Sequence, residues 1–116
     1  MANRSAKSLV NARTSEGSSL LHYLSDSGHV DLLNWCLQHG GIVDLPNKNG
    51  QTPLFWAAFA DQPKTAQLLL LRGADLHKQD RLHANTPLHT AAMKGSLACI
   101  KVLVRDGGDV SRANKE

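Results

Sequence analysis

"TPLHTAAMKG" (Thr86–Gly95) decides how this chain is read. A threonine hydroxyl can cap a helix, and a proline fits the first helical turn, where its missing N–H costs nothing. Leucine and two alanines follow. A glycine then supplies the positive φ that ends a helix cheaply. The same grammar stands at "TPLFWAAFAD" (Thr52–Asp61), 34 residues earlier, and in a looser form at "SLLHYLSDSG" (Ser19–Gly28), another 33 back.

Each of the three stretches leads into a longer, more apolar one. These carry Val30, Leu32, Leu33, Cys36 and Leu37; Thr65, Ala66, Leu68, Leu69 and Leu70; and Leu97, Cys99, Ile100, Leu103 and Val104. Each run stops at a glycine 21 residues after its opening residue: Gly40, Gly73 and Gly107. A polar connection of about a dozen residues then leads to the next copy; "VNARTSEG" (Val10–Gly17) matches "VDLPNKNG" (Val43–Gly50) in spacing. The unit is helix, turn, helix, extended connection. No stretch reads as a long alternating strand.

A period of 33 with T-P-L-H-x-A marks the ankyrin repeat, and the chain resembles that family over about Val10 to Lys115. The resemblance implies an all-α repeat fold, a solenoid of stacked helix-turn-helix units with β-hairpin-like connecting loops. Short inner helices would line a concave face and longer outer helices a convex one. No unit buries its apolar face alone, so about three are needed for stability. The expected organisation is a polar N-terminal segment (1–9) and a repeat domain (10–116), with repeats at about 14–46, 47–80 and 81–113 and the start of a further hairpin at 114–116. That last match, "NKE" against "NKNG", raises the expectation of a longer array or a multidomain protein.

Composition is that of an ordinary soluble domain: 116 residues, 41% hydrophobic, 20% charged. The net charge of +3 is spread without a basic run, and only five residues are aromatic, which disfavours nucleic acid as a partner. No run approaches the roughly 18 apolar residues needed to cross a bilayer, and the N-terminus lacks an apolar signal core. Two cysteines make no disulfide framework. The expectation is an intracellular protein, cytoplasmic or nuclear, without membrane insertion, and the sequon at Asn3 carries little weight.

Catalytic and metal chemistry find little support. The resemblance gives His22 and His89 a bracing role near the capping hydroxyl, and His29 a place at the start of an outer helix. His77 and His83 lie on a connection with no cysteine or carboxylate at ligand spacing. Cys36 and Cys99 fall on outer helices with a full unit between them and read as buried apolar groups. No glycine-rich phosphate loop precedes a helix. No cofactor, metal or small-molecule substrate is expected. Asp61 and Pro63 replace a turn glycine and a following non-proline residue. Asp61 can cap the helix near Gln62, with Pro63 in its first turn, and it tolerates unusual φ better than most residues, so a slightly altered turn is expected.

The resemblance therefore implies a non-catalytic module that binds a protein through its hairpin tips and inner-helix ends. The positions that match are Ser15, Glu16, Ser18, Asp26 and Ser27 in the first unit. In the second and third they are Lys48, Asn49, Gln51, Phe59 and Ala60, then Leu82, His83, Asn85, Met93 and Lys94. Trp56 reads as packing between units. Phe59, Leu82 and Met93 are the apolar candidates for contact. The third connection is one residue longer than the second and has Ala84 where a turn glycine is expected. Charge runs from acidic (Glu16, Asp26) to basic (Lys48, Lys94), which could orient a partner. The alternative is a regulatory or substrate-targeting segment of a larger multidomain enzyme.

Overall fold

A computed structural model describes residues 5–107. Seven helices fill it: α1 (Ala6–Val10), α2 (Leu20–Ser27), α3 (Val30–Gln38), α4 (Pro53–Phe59), α5 (Pro63–Leu71), α6 (Pro87–Lys94) and α7 (Leu97–Arg105). Among the described residues no strand forms; one isolated antiparallel bridge joins Arg13 and Ser19. The expected hairpin start at 114–116 and the Asn3 sequon lie outside the described residues.

The pairs α2/α3, α4/α5 and α6/α7 are the three units. Inner helices α2, α4 and α6 pack side by side, as do outer helices α3, α5 and α7. Thr52 Oγ1 accepts the Phe55 N–H at 3.4 Å and Thr86 Oγ1 accepts the His89 N–H at 3.3 Å, and Pro53 and Pro87 open their helices. Gly28 (φ 78°) and Gly95 (φ 70°) end the first and third inner helices in the left-handed conformation. One core runs through all three units and includes Leu21, Leu33, Leu54, Leu69, Leu88 and Leu103. Small residues let the inner helices approach: Ser25, Ala57, Ala58 and Ala91 are buried.

Helix α1 has no counterpart in the reading of the sequence, which saw only a polar segment there. Ser5 caps it by accepting the Ser8 N–H, and it buries Val10. Asn11, just after it, donates to the Gly40 carbonyl and accepts the Ile42 N–H.

Asp61 takes the turn place expected of it but does not cap the helix that follows. Gln62 is the N-cap of α5 and Pro63 its first residue, while Asp61 takes the left-handed place (φ 54°) that Gly28 and Gly95 fill elsewhere. Its carboxylate instead accepts the Cys99 N–H at 3.1 Å. Cys99 lies in the first turn of α7, where backbone donors have no partner within the helix, so the middle unit caps the third. Other bonds also cross units. Thr65 Oγ1 donates to the Ser25 carbonyl, Gln62 Nε2 to the Asp26 carbonyl, and the Asp75 N–H to Asp44 Oδ2.

Candidate interaction face

The three connections fold as tips on a shared plan. Thr14, Asn47 and Asp80 each donate their N–H to a carbonyl four or five residues on, at Ser18, Gln51 and Asn85. Asn47 Oδ1 accepts the N–H groups of Asn49 and Gln51, and Asp80 Oδ1 those of His83 and Asn85. Such side-chain acceptors hold a turn shut without a strand ladder.

The tips also bond to one another. The Lys48 N–H donates to the Glu16 carbonyl at 3.0 Å, and the Arg81 N–H to the Asn49 carbonyl at 2.8 Å. Gly17 and Gly50 sit beneath these neighbours with positive φ; a Cβ on either would come within 3.1 Å of the next tip's backbone nitrogen. Lys48 and Arg81 are equivalent, as are Gly50 and Ala84. The extra residue of the third tip therefore lies between Arg81 and Ala84, where it pushes out Leu82, 55% exposed.

Beneath the tips, the inner helices expose an apolar row. Phe59 is 51% exposed at the end of α4 and Met93 is 65% exposed at the end of α6. Lys94 Nζ stands 4.6 Å from the centre of the Phe59 ring, a cation–π contact between the second and third units. Asn85 Nδ2 donates to Met93 Sδ at 3.6 Å. Thus Phe59 meets Lys94, and Met93 meets Asn85. Lys48 is exposed and Asn49 half-buried, and their backbones serve the stacking of tips. His83 is exposed at the third tip.

Some candidates belong to the framework. Asn85 is 3% exposed. Gln51 Oε1 accepts both the Trp56 indole N–H (3.0 Å) and Asn47 Nδ2 (3.1 Å). Ser18 is buried and receives Asn47 Nδ2. Trp56 packs between units as expected, edge-on against His22 and Tyr23 at centroid distances of 5.2 and 5.3 Å.

Tyr23 was not singled out in the sequence, although it stands 33 residues before Trp56 and so occupies the same place in its unit. It is about half exposed beside Trp56. On the outer helix α3, Trp35 stacks on His39 at 3.9 Å, a pair legible only as an aromatic residue and a histidine four apart in sequence.

Two histidines, His22 and His89, brace the starts of their inner helices. His22 is fully buried. Its Nδ1 accepts the Ser19 N–H at 2.9 Å, so its Nε2 carries the proton and donates to the Gln51 carbonyl at 2.8 Å. Burial, aided by the Arg13 charge, holds the ring below the usual histidine range against the opposing effect of the Gln51 bond. His89 Nδ1 likewise accepts the Thr86 N–H at 3.1 Å. Among the described residues, no three His, Cys, Asp or Glu side chains gather as a metal site. Cys36 and Cys99 are free and buried. Burial raises both thiols, and the Asp61 carboxylate helps push Cys99 up to about 12.

A family model for ankyrin repeats (3 copies) matches residues 2–80, and one for a single ankyrin repeat matches residues 83–115. The chain belongs to the ankyrin repeat family. This ankyrin chain is 37% identical over 99 residues to the tyrosine-protein kinase HTK16 of Hydra vulgaris, covering 84% of the chain and 13% of that protein. It is 33% identical over 89 residues to the probable E3 ubiquitin-protein ligase XBOS32 of Oryza sativa subsp. japonica, covering 77% and 18%. It is 31% identical over 106 residues to the B-cell lymphoma 3 protein homolog of Mus musculus, covering 90% and 23%. The ankyrin chain spans less than a quarter of the length of these relatives. Ankyrin repeats are in general protein-interaction modules. No helix among the described residues is long and apolar enough to cross a membrane.

Proposed function

We propose that this ankyrin array binds a protein partner through its concave face, with Phe59, Met93 and Lys94 at the centre and Leu82 and His83 at the rim. The observation that carries the reading is the exposure of Phe59, Met93 and Leu82 on a framework whose polar groups are already bonded to one another. Exposed apolar side chains held on packed helices and braced tips fit a binding role. Lys48 and Asn49 extend the same surface toward the second tip. No group in this reading acts as a catalyst, and no cofactor, metal or nucleic acid takes part.

Capture from native lysate tests it. The wild-type domain should retain a protein that the triple variant F59S/L82S/M93S does not, with equal helical circular dichroism. Equal retention by both would overturn the concave-face reading.

A second reading is a targeting or regulatory segment of a larger enzyme. The small share of the kinase and ligase relatives covered by this chain supports it. The same face would then hold a substrate or regulator of that enzyme. The full open reading frame separates the two.

A further inference from the structure

We infer that the cavity beside Trp56 seats an arginine side chain of a protein partner. The inference rests on the interaction reading above and names what one point on the face recognises. The cavity holds about 260 Å³ and is lined by Asp26, Gln51, Phe55, Trp56 and Phe59. Pockets for small molecules hold roughly 300–1,000 Å³. This volume suits one long side chain better than a free ligand.

The lining selects its chemistry. Three walls are aromatic. The Gln51 amide oxygen already accepts two hydrogen bonds, which fills its lone pairs. Asp26 is the one charged residue of the lining, and it is exposed. An apolar guest would cover that carboxylate without giving it a partner. An acidic guest would be repelled by it. A guest with an apolar stem and a cationic head satisfies both parts of the site.

Arginine fits better than lysine. Its planar guanidinium lies flat on aromatic rings and offers a carboxylate two parallel N–H bonds, where an ammonium offers a point charge. The Lys94 contact shows that Phe59 already draws a cation. Because Lys94 would repel a second cation on its side, the guest's head group belongs at Asp26.

Titration with three blocked tripeptides tests this: Gly-Arg-Gly, Gly-citrulline-Gly and Gly-norleucine-Gly. The readout is the indole N–H resonance of Trp56, with Trp35 on the outer helix α3 as internal control. Gly-Arg-Gly should give a saturable shift at Trp56 and none at Trp35. The citrulline and norleucine peptides should bind about tenfold more weakly or worse, and D26N should weaken Gly-Arg-Gly to the same degree. F59A should weaken all three. Equal responses to the three peptides, an unchanged response in D26N, or an equal shift at Trp35 would each overturn the proposal. The peptides report on the cavity without the natural partner. Failed capture with a sound arginine response therefore overturns only the wider face, and the reverse overturns only the cavity.

Discussion

His22 Nε2 donates to the Gln51 carbonyl at 2.8 Å, so the inner helix of the first unit is bonded to the tip of the second. The same ring accepts the Ser19 N–H at its own helix start. One buried imidazole thus closes a helix and joins two units. At the equivalent place the middle unit has Phe55, which is buried but has no ring nitrogen to do either.

Replacing His22 by that phenylalanine isolates the polar contribution. H22F leaves the buried Ser19 N–H without a partner, at a cost of about 1–3 kcal/mol, while the Gln51 carbonyl loses one donor and keeps the Asn47 N–H. Urea unfolding should show a loss in that range or above it. The variant should also change the pH dependence. The folded ring titrates below its unfolded value of about 6.5, so the unfolded chain takes up the proton first as pH falls. Wild-type stability should be full above about pH 6.5, decline as pH falls toward the folded value, and level off below it. H22F should lose this decline.

Asp61 offers a second test of coupling between units. D61A removes the acceptor for the Cys99 N–H and puts a Cβ-bearing residue without a local hydrogen-bonding side chain at φ 54°. A lost cap costs about 0.5–2 kcal/mol, and the left-handed conformation adds about 1. D61N keeps an acceptor and tolerates the φ, so it should lose less than half as much. Thermal or urea melts of the two variants check the order.

Thiol labelling reads the same contact from the other side. Cys99 is pushed up to about 12, first by burial and then by the Asp61 charge, and only the thiolate attacks a disulfide reagent. In D61N the charge is gone, and Cys99 should label faster relative to Cys36, which the substitution does not touch. Using the ratio of the two cysteines removes any general change in opening rate. An unchanged ratio would argue against the Asp61 contact.

The third tip carries strain that a single change relieves. Ala84 has φ 55° where Gly17 and Gly50 occupy the matching places. The left-handed conformation costs a Cβ-bearing residue about 1–2 kcal/mol, and glycine loses part of that advantage through its freer unfolded chain. A84G should raise stability by up to about 1 kcal/mol, measured by urea unfolding, without altering the exposure of Leu82.

The helix starts, their order and their stacking were legible because capping residues, proline and glycine recur at fixed spacing. Asp61 shows why the remainder was not. Its sequence neighbours suggest a local cap, and only the folded chain brings α7 close enough to take the carboxylate instead. Gln51 and Asn85 read as surface polar residues on exposed tips, yet each is drawn into bonds with residues on its own tip and inner helix. Phe59 and Met93 were legible as outward residues, since they follow the buried alanines on their helices. The Phe59–Lys94 contact was not, because it spans two units 35 residues apart in sequence.

The most direct measurement is the equilibrium affinity of the captured partner for the wild-type domain and for F59S/L82S/M93S, by calorimetry at matched pH and salt. The account predicts at least about tenfold weaker binding in the variant, the equivalent of roughly 1.4 kcal/mol, with helical circular dichroism and a cooperative unfolding transition retained. Equal affinity in a fully folded variant would contradict it.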